Sequence, residues 1–109
     1  MKYYCDIEFE YIKKKSKKDL IKEALEFIQP TIEEYEYAPC HTELDSDVDR
    51  LHLHFESDSV GGLAGFAETI AHTAENCKKE GNWTVPNLRI TSIHLATGLG
   101  GIDLPLYFS

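Results

Sequence analysis

Positive charge is scarce in this sequence beyond its first eighteen residues. Eleven lysines and arginines stand against nineteen aspartates and glutamates, which leaves a net charge of −8 over 109 residues. Nucleic-acid binding and adhesion to anionic membranes both rely on cations that displace counterions or meet lipid headgroups, so this balance speaks against both. Long apolar runs are missing as well. No stretch approaches the roughly 20 residues that cross a bilayer as a helix, and MKYYCDIEFEY lacks the apolar segment of a secretory leader. Cysteine is sparse and odd in number. Cys5, Cys40 and Cys77 have no paired spacing, which excludes a conventional disulfide framework and fits a reducing cytoplasm.

What is present describes one globular domain. The apolar fraction of 42% and charged fraction of 28% are ordinary, and the length suffices for one core but not two. YYCDIEFEYI (3–12) alternates, with Tyr3, Cys5, Ile7, Phe9 and Tyr11 on one face and Asp6, Glu8 and Glu10 on the other, as in a half-buried strand. Ser16 and Asp19 form a capping-box pattern. Leu20, Ile21, Ala24, Leu25 and Ile28 then recur at helical spacing, so a helix is expected over 17–29, ended by Pro30. TIEEYEYA is ambiguous: Ile32, Tyr35 and Tyr37 could finish a further helix turn. The Glu/Tyr alternation from residue 34 suits an edge strand better, followed by a polar loop, APCHTELDSDV. In DRLHLHFES, Leu51, Leu53 and Phe55 face inward while His52, His54 and Glu56 face outward.

Ser59 caps a helix whose stripe is Leu63, Phe66, Ala67, Ile70, Ala71, Ala74 and Cys77, the strongest periodic signal in the chain, stopped by Gly81 and Asn82. NLRITSIHLA is a strand whose phase changes near Thr91 and Ser92, the mark of a bulge. TGLGG turns the chain into a last strand, IDLPLYF, which Pro105 confines to an edge or an irregular position. The expected fold is therefore α+β, a two-layer sandwich with two helices on one face of a largely antiparallel four- to five-stranded sheet. A ferredoxin-like arrangement with an added strand is among the forms that fit. The other face is open and carries Asp6, Glu8, Glu10, His52, His54 and Glu56.

DSDVDRLHLHFESD (45–58) is the richest stretch for chemistry. Asp45, Asp47, Asp49 and Glu56 fall on positions 1, 3, 5 and 12 of a calcium loop, but Arg50 replaces the glycine of the sharp turn and the second half reads as a strand. His52 and His54 could hold a transition metal if Cys40, His41 or His94 converged on them, yet no local spacing fixes a third ligand. Cys40 beside His41 suggests a thiol nucleophile, but neighbours in an extended loop point apart and no helix N-terminus activates the thiol. The glycines of SVGGLAG do not match a dinucleotide-binding fingerprint. No cofactor, metal or catalytic residue is assigned.

The charge distribution points to binding. Residues 1–18 carry six lysines against three acids, residues 19–58 twelve acids against Lys22 and Arg50, and residues 59–109 four acids against three bases. Within the middle block, Glu33, Glu34, Glu36, Glu43, Asp45, Asp47 and Asp49 have no base among them, and Tyr35 and Tyr37 are interleaved. Uncompensated carboxylates select a cationic partner by sign and speed its association, and tyrosines supply burial.

HLHFESDSVGGLAGFAETIAHTAE followed by SIHLATGLGG, with the acidic charge and one-domain layout, resembles the small cytoplasmic immunity proteins of bacterial toxin–immunity pairs. That resemblance implies a non-enzymatic inhibitor that neutralises a basic toxin, such as a nuclease, by covering its active site or substrate surface. The alternatives are a small metal-dependent or cysteine-based enzyme centred on His52, His54 and Cys40, and a phage-encoded decoy that mimics nucleic-acid charge.

Overall fold

A computed structural model describes residues 2–11, 17–44, 50–80, 88–97 and 99–103. The elements run β1 (Tyr3–Tyr11), α1 (Lys17–Tyr35), β2 (His41–Leu44), β3 (Arg50–Ser57), α2 (Val60–Glu80), β4 (Leu88–Thr97) and β5 (Gly100–Asp103). The five strands form one sheet in the order β2-β3-β1-β4-β5, and every neighbouring pair is antiparallel. Strands one to four reproduce the split β-α-β order of a ferredoxin-like sheet, with β5 added at an edge. The α+β sandwich expected from the alternating and helical periods is the observed architecture.

The core lies between the sheet and the helices. Cys5, Ile7 and Phe9 of β1, Leu51, Leu53 and Phe55 of β3, and Ile90 and Ile93 of β4 are buried on the helix side. Against them pack Leu20, Ala24, Phe27 and Ile28 of α1 and Leu63, Phe66, Ala67, Ile70 and Ala74 of α2. Burying each large side chain of this set contributes about 1.5–3 kcal/mol. The expected bulge is present. Glu8 pairs with Ser92 and Phe9 with Ile90, so Thr91 is left over. Its hydroxyl donates to the Glu8 carbonyl at 3.3 Å. That extra residue lets Ile90 and Ile93 both face the core despite their odd spacing.

Ser59 caps α2 as its sequence predicts, its Oγ accepting the Gly62 N–H at 3.3 Å. Helix α1 differs from expectation. It does not end at Pro30 but runs through it to Tyr35. An internal proline costs about 3 kcal/mol. Ile28 and Thr31 are buried on either side of it, and Ile32 and Tyr35 pack against the core beyond it. Tertiary burial outweighs the local break. Of the two readings of residues 32–37, the helical turn is the one observed in place of the favoured edge strand, and the edge is instead β2, HTEL, inside what reads as a polar loop. β5 begins at Gly100, two residues before the expected start. The Ser16 cap, Lys13 to Lys15, Asp45, Asp47, Asp49, Gly81, Asn82 and Pro105 lie outside the described residues.

Candidate functional site

Strand register builds two polar rows across the open face. One row is His41, His54, Asp6 and His94, on β2, β3, β1 and β4 in turn; the next is Glu43, His52, Glu8 and Ser92. The alternation that puts Cys5, Ile7 and Phe9 inside necessarily puts Asp6 and Glu8 outside, Asp6 between His54 and His94 and Glu8 between His52 and Ser92.

Asp6 is the hub. Its Oδ1 accepts from His52 Nε2 at 2.6 Å and from His54 Nδ1 at 2.7 Å. His52 Nδ1 lies 3.4 Å from Glu43 Oε2, and Glu43 Oε1 lies 2.9 Å from His41 Nε2. His54 Nε2 lies 3.3 Å from Glu56 Oε1, while Lys2 Nζ holds Glu56 Oε2 at 3.2 Å. The His54 ring also stacks on Tyr4, centroids 5.4 Å apart. At the far end of β1, Glu10 pairs with Arg89, and Ser92 lies 3.5 Å from Glu8.

These pairings shift the titrations in consistent directions. Partial burial pulls His54 down, but the hydrogen bond and charge of Asp6, aided by Glu56, outweigh it and raise its pKa. Glu56 is lowered by Lys2 and His54, Glu43 by His41 and His52, and Glu10 by Arg89. Burial raises the Cys40 thiol, and the Glu56 charge adds to it. Cys5 is pushed up to about 12 by its burial in the core.

Cys40 joins this network from the bend before β2. Its backbone N–H donates to the His54 carbonyl at 2.8 Å, and its thiol donates to the same oxygen at 3.2 Å. One donor atom from each of Cys40, His54 and Glu56 lies within 4.8 Å of the other two. His41 turns to Glu43 rather than to Cys40.

The acidic segment divides in two. Glu33 and Glu34 are exposed on the last turn of α1, which contains no basic residue, and exposed Glu36 follows with φ at 58°. Gln29 donates to Glu33 at 3.2 Å. Among the described residues no hydrogen bond or ion pair reaches the side chain of Glu34 or Glu36. Tyr35 and Tyr37 turn the other way. Their hydroxyls bond Thr69 at 3.1 Å and Ser57 at 3.0 Å, and their rings meet Phe66 edge-on. Because α1 continues past Pro30, Tyr35 falls four residues after Thr31 and eight after Phe27, on the buried side.

Lys2, Tyr4 and Arg89 are partners that sequence reasoning passed over. Lys2 and Tyr4 share the even-numbered phase of Asp6 and Glu8, and Arg89 neighbours the buried Ile90, so alternation carried a signal for each. On the helix side, an apolar hollow of about 430 Å³ opens between α2 and β5, lined by Tyr3, Val60, Leu63, Leu95, Leu99 and Ile102.

The chain matches no protein-family model and no curated protein. Among solved structures it is similar to a structural-genomics protein named YJCS, with a TM-score of 0.51 and 15% identity. The match covers 89% of this chain and 98% of that one. A likeness at this identity shows the fold alone.

Proposed function

We propose that this chain is a non-enzymatic binding protein of the immunity type, which takes a basic protein partner such as a toxin domain on the carboxylates that end α1. One observation carries the reading. Glu33, Glu34 and Glu36 crowd the C-terminal end of a helix, where the backbone dipole is negative, and no base stands in that turn. Mutual repulsion and the dipole both disfavour the arrangement in the isolated chain, and a cationic partner reverses both.

Contrast with the open face narrows the surface. Asp6, Glu10, Glu43 and Glu56 have internal partners, whereas Glu34 and Glu36 have none among the described residues. Asp45, Asp47 and Asp49, which the sequence groups with these carboxylates, lie outside the described residues. Co-purification from the native host, with identification of the bound protein, tests the reading. A partner with a basic surface is expected; recovery of an acidic partner contradicts it.

A second reading, a metal-dependent function expected around His52, His54 and Cys40, is favoured for Cys40 and His54, which converge with Glu56, whereas His52 turns to Asp6 and Glu43. Its cysteine-nucleophile form is not favoured, because the Cys40 thiol is raised rather than lowered.

A further inference from the structure

We propose that Cys40, His54 and Glu56 form a binding site for a divalent transition metal of the zinc type, with Asp6 as the residue that orients His54. The site deepens the metal-dependent reading and is independent of the acidic partner surface.

Three backbone positions are fixed before any ion arrives. His54 and Glu56 are two apart on β3 and therefore share the open face. Cys40 is tied opposite by its N–H bond to the His54 carbonyl. The ligand atoms lie within 4.8 Å of one another. Bond lengths of about 2.0–2.3 Å around a tetrahedral zinc set ligand separations near 3.3–3.8 Å. Side-chain rotations that draw the donors together by about 1 Å therefore complete the site.

The histidine is prepared for the role. Its Nδ1–H donates to Asp6 at 2.7 Å. In the neutral ring this leaves the lone pair on Nε2, the nitrogen that faces Glu56. A carboxylate behind a metal-binding imidazole is the usual device for fixing tautomer and ring angle. Tyr4 stacked on the same ring restricts its swing. Glu56 is divided in the same way, with Oε2 on Lys2 and Oε1 toward His54. A metal ion between Nε2 and Oε1 takes the place of the proton those atoms share.

Donor type selects the ion. A thiolate with an imidazole and a carboxylate suits zinc or its borderline-soft neighbours, and disfavours magnesium and calcium, which need several oxygens. One thiolate and one carboxylate neutralise a dication. Three protein ligands leave the fourth position to water or a substrate, the pattern of reactive rather than purely structural zinc sites.

Cobalt(II) titration of the reduced, untagged full chain tests the proposal. One equivalent should bind with a thiolate-to-cobalt charge-transfer band in the near ultraviolet, and zinc should displace it. Cys40→Ser should abolish the band while the chain keeps its far-ultraviolet dichroism. Cys5→Ser should retain it. Asp6→Asn should keep the band but weaken affinity about 10- to 100-fold. Absence of the band in the parent chain, or its persistence in Cys40→Ser, overturns the site. A bound metal with no accompanying turnover leaves the site standing and removes the enzymatic reading alone.

Discussion

Asp6 Oδ1 receives the Nδ1–H of His54 at 2.7 Å across the β1–β3 pair. This bond ties the titration of the open face to the stability of the fold. His54 is raised above its ordinary 6.5, so its contribution is complete below that value and is lost as pH climbs through the raised pKa. Glu43 and Glu56 are lowered below 4.5, so theirs is complete above that value and is lost as pH falls through the lowered pKa. Their joint contribution is greatest between pH 4.5 and 6.5. Urea midpoints measured across pH should decline on both sides of that window, and Asp6→Asn should flatten the alkaline decline. An alkaline decline of unchanged steepness in Asp6→Asn would show that the bond has no part in it.

Glu36 sits in the left-handed region immediately after α1, where glycine is the favoured residue. A side chain there costs about 1–2 kcal/mol, partly offset because glycine loses more freedom on folding. Glu36→Gly is expected to stabilise the isolated chain by about 0.5–1 kcal/mol, read from denaturant midpoints, and to weaken partner binding. A fall in stability would mean that the carboxylate has a structural role.

Two adjacent glycines should respond oppositely. A Cβ on Gly61 meets nothing within 4 Å, so Gly61→Ala should stabilise α2 by about 0.5 kcal/mol. A Cβ on Gly62 lies 2.6 Å from the Tyr37 hydroxyl, so Gly62→Ala displaces that group from Ser57. Loss of about 1–2 kcal/mol is expected. Thermal melts of the pair check the contrast, and equal effects would argue against the packing of Tyr37 on α2.

Cys5 should resist thiol reagents in the folded protein. It is fully buried with its pKa pushed up to about 12, whereas Cys40 is exposed. Native alkylation at mildly alkaline pH, followed by peptide mass mapping, should find Cys40 modified and Cys5 intact until denaturant is added. Rapid labelling of Cys5 would show that the core opens locally.

Much of this fold is legible in the sequence because its central elements have a buried face. The alternation of Cys5, Ile7 and Phe9, that of Leu51, Leu53 and Phe55, and the stripe from Leu63 to Ala74 each state their period directly. The bulge at Thr91 is legible as a break in that period. β2 is not, since His41, Thr42 and Glu43 are all exposed and no alternation marks them. The passage of α1 through Pro30 is decided by the burial of Thr31 and the packing of half-buried Tyr35 against the core, which local preference opposes. The same two gaps govern the site. Asp6, His52 and His54 share a face that alternation reveals, but Cys40 reaches His54 only through the pairing of β2 with β3. Tyr35, interleaved with acids in the sequence, points inward because the helix does not stop where the proline suggests, and Tyr37, beyond the helix end, turns in to Ser57.

Carboxylates at the end of α1 that meet no base among the described residues are the centre of the functional account, and association kinetics with the co-purified partner test it most directly. The rate constant of the parent chain should fall as salt is raised. Glu33→Gln, Glu34→Gln and Glu36→Gln combined should lower it by about tenfold at low salt and flatten its salt dependence. Identical rates and identical salt slopes for the parent and the triple variant would contradict the account.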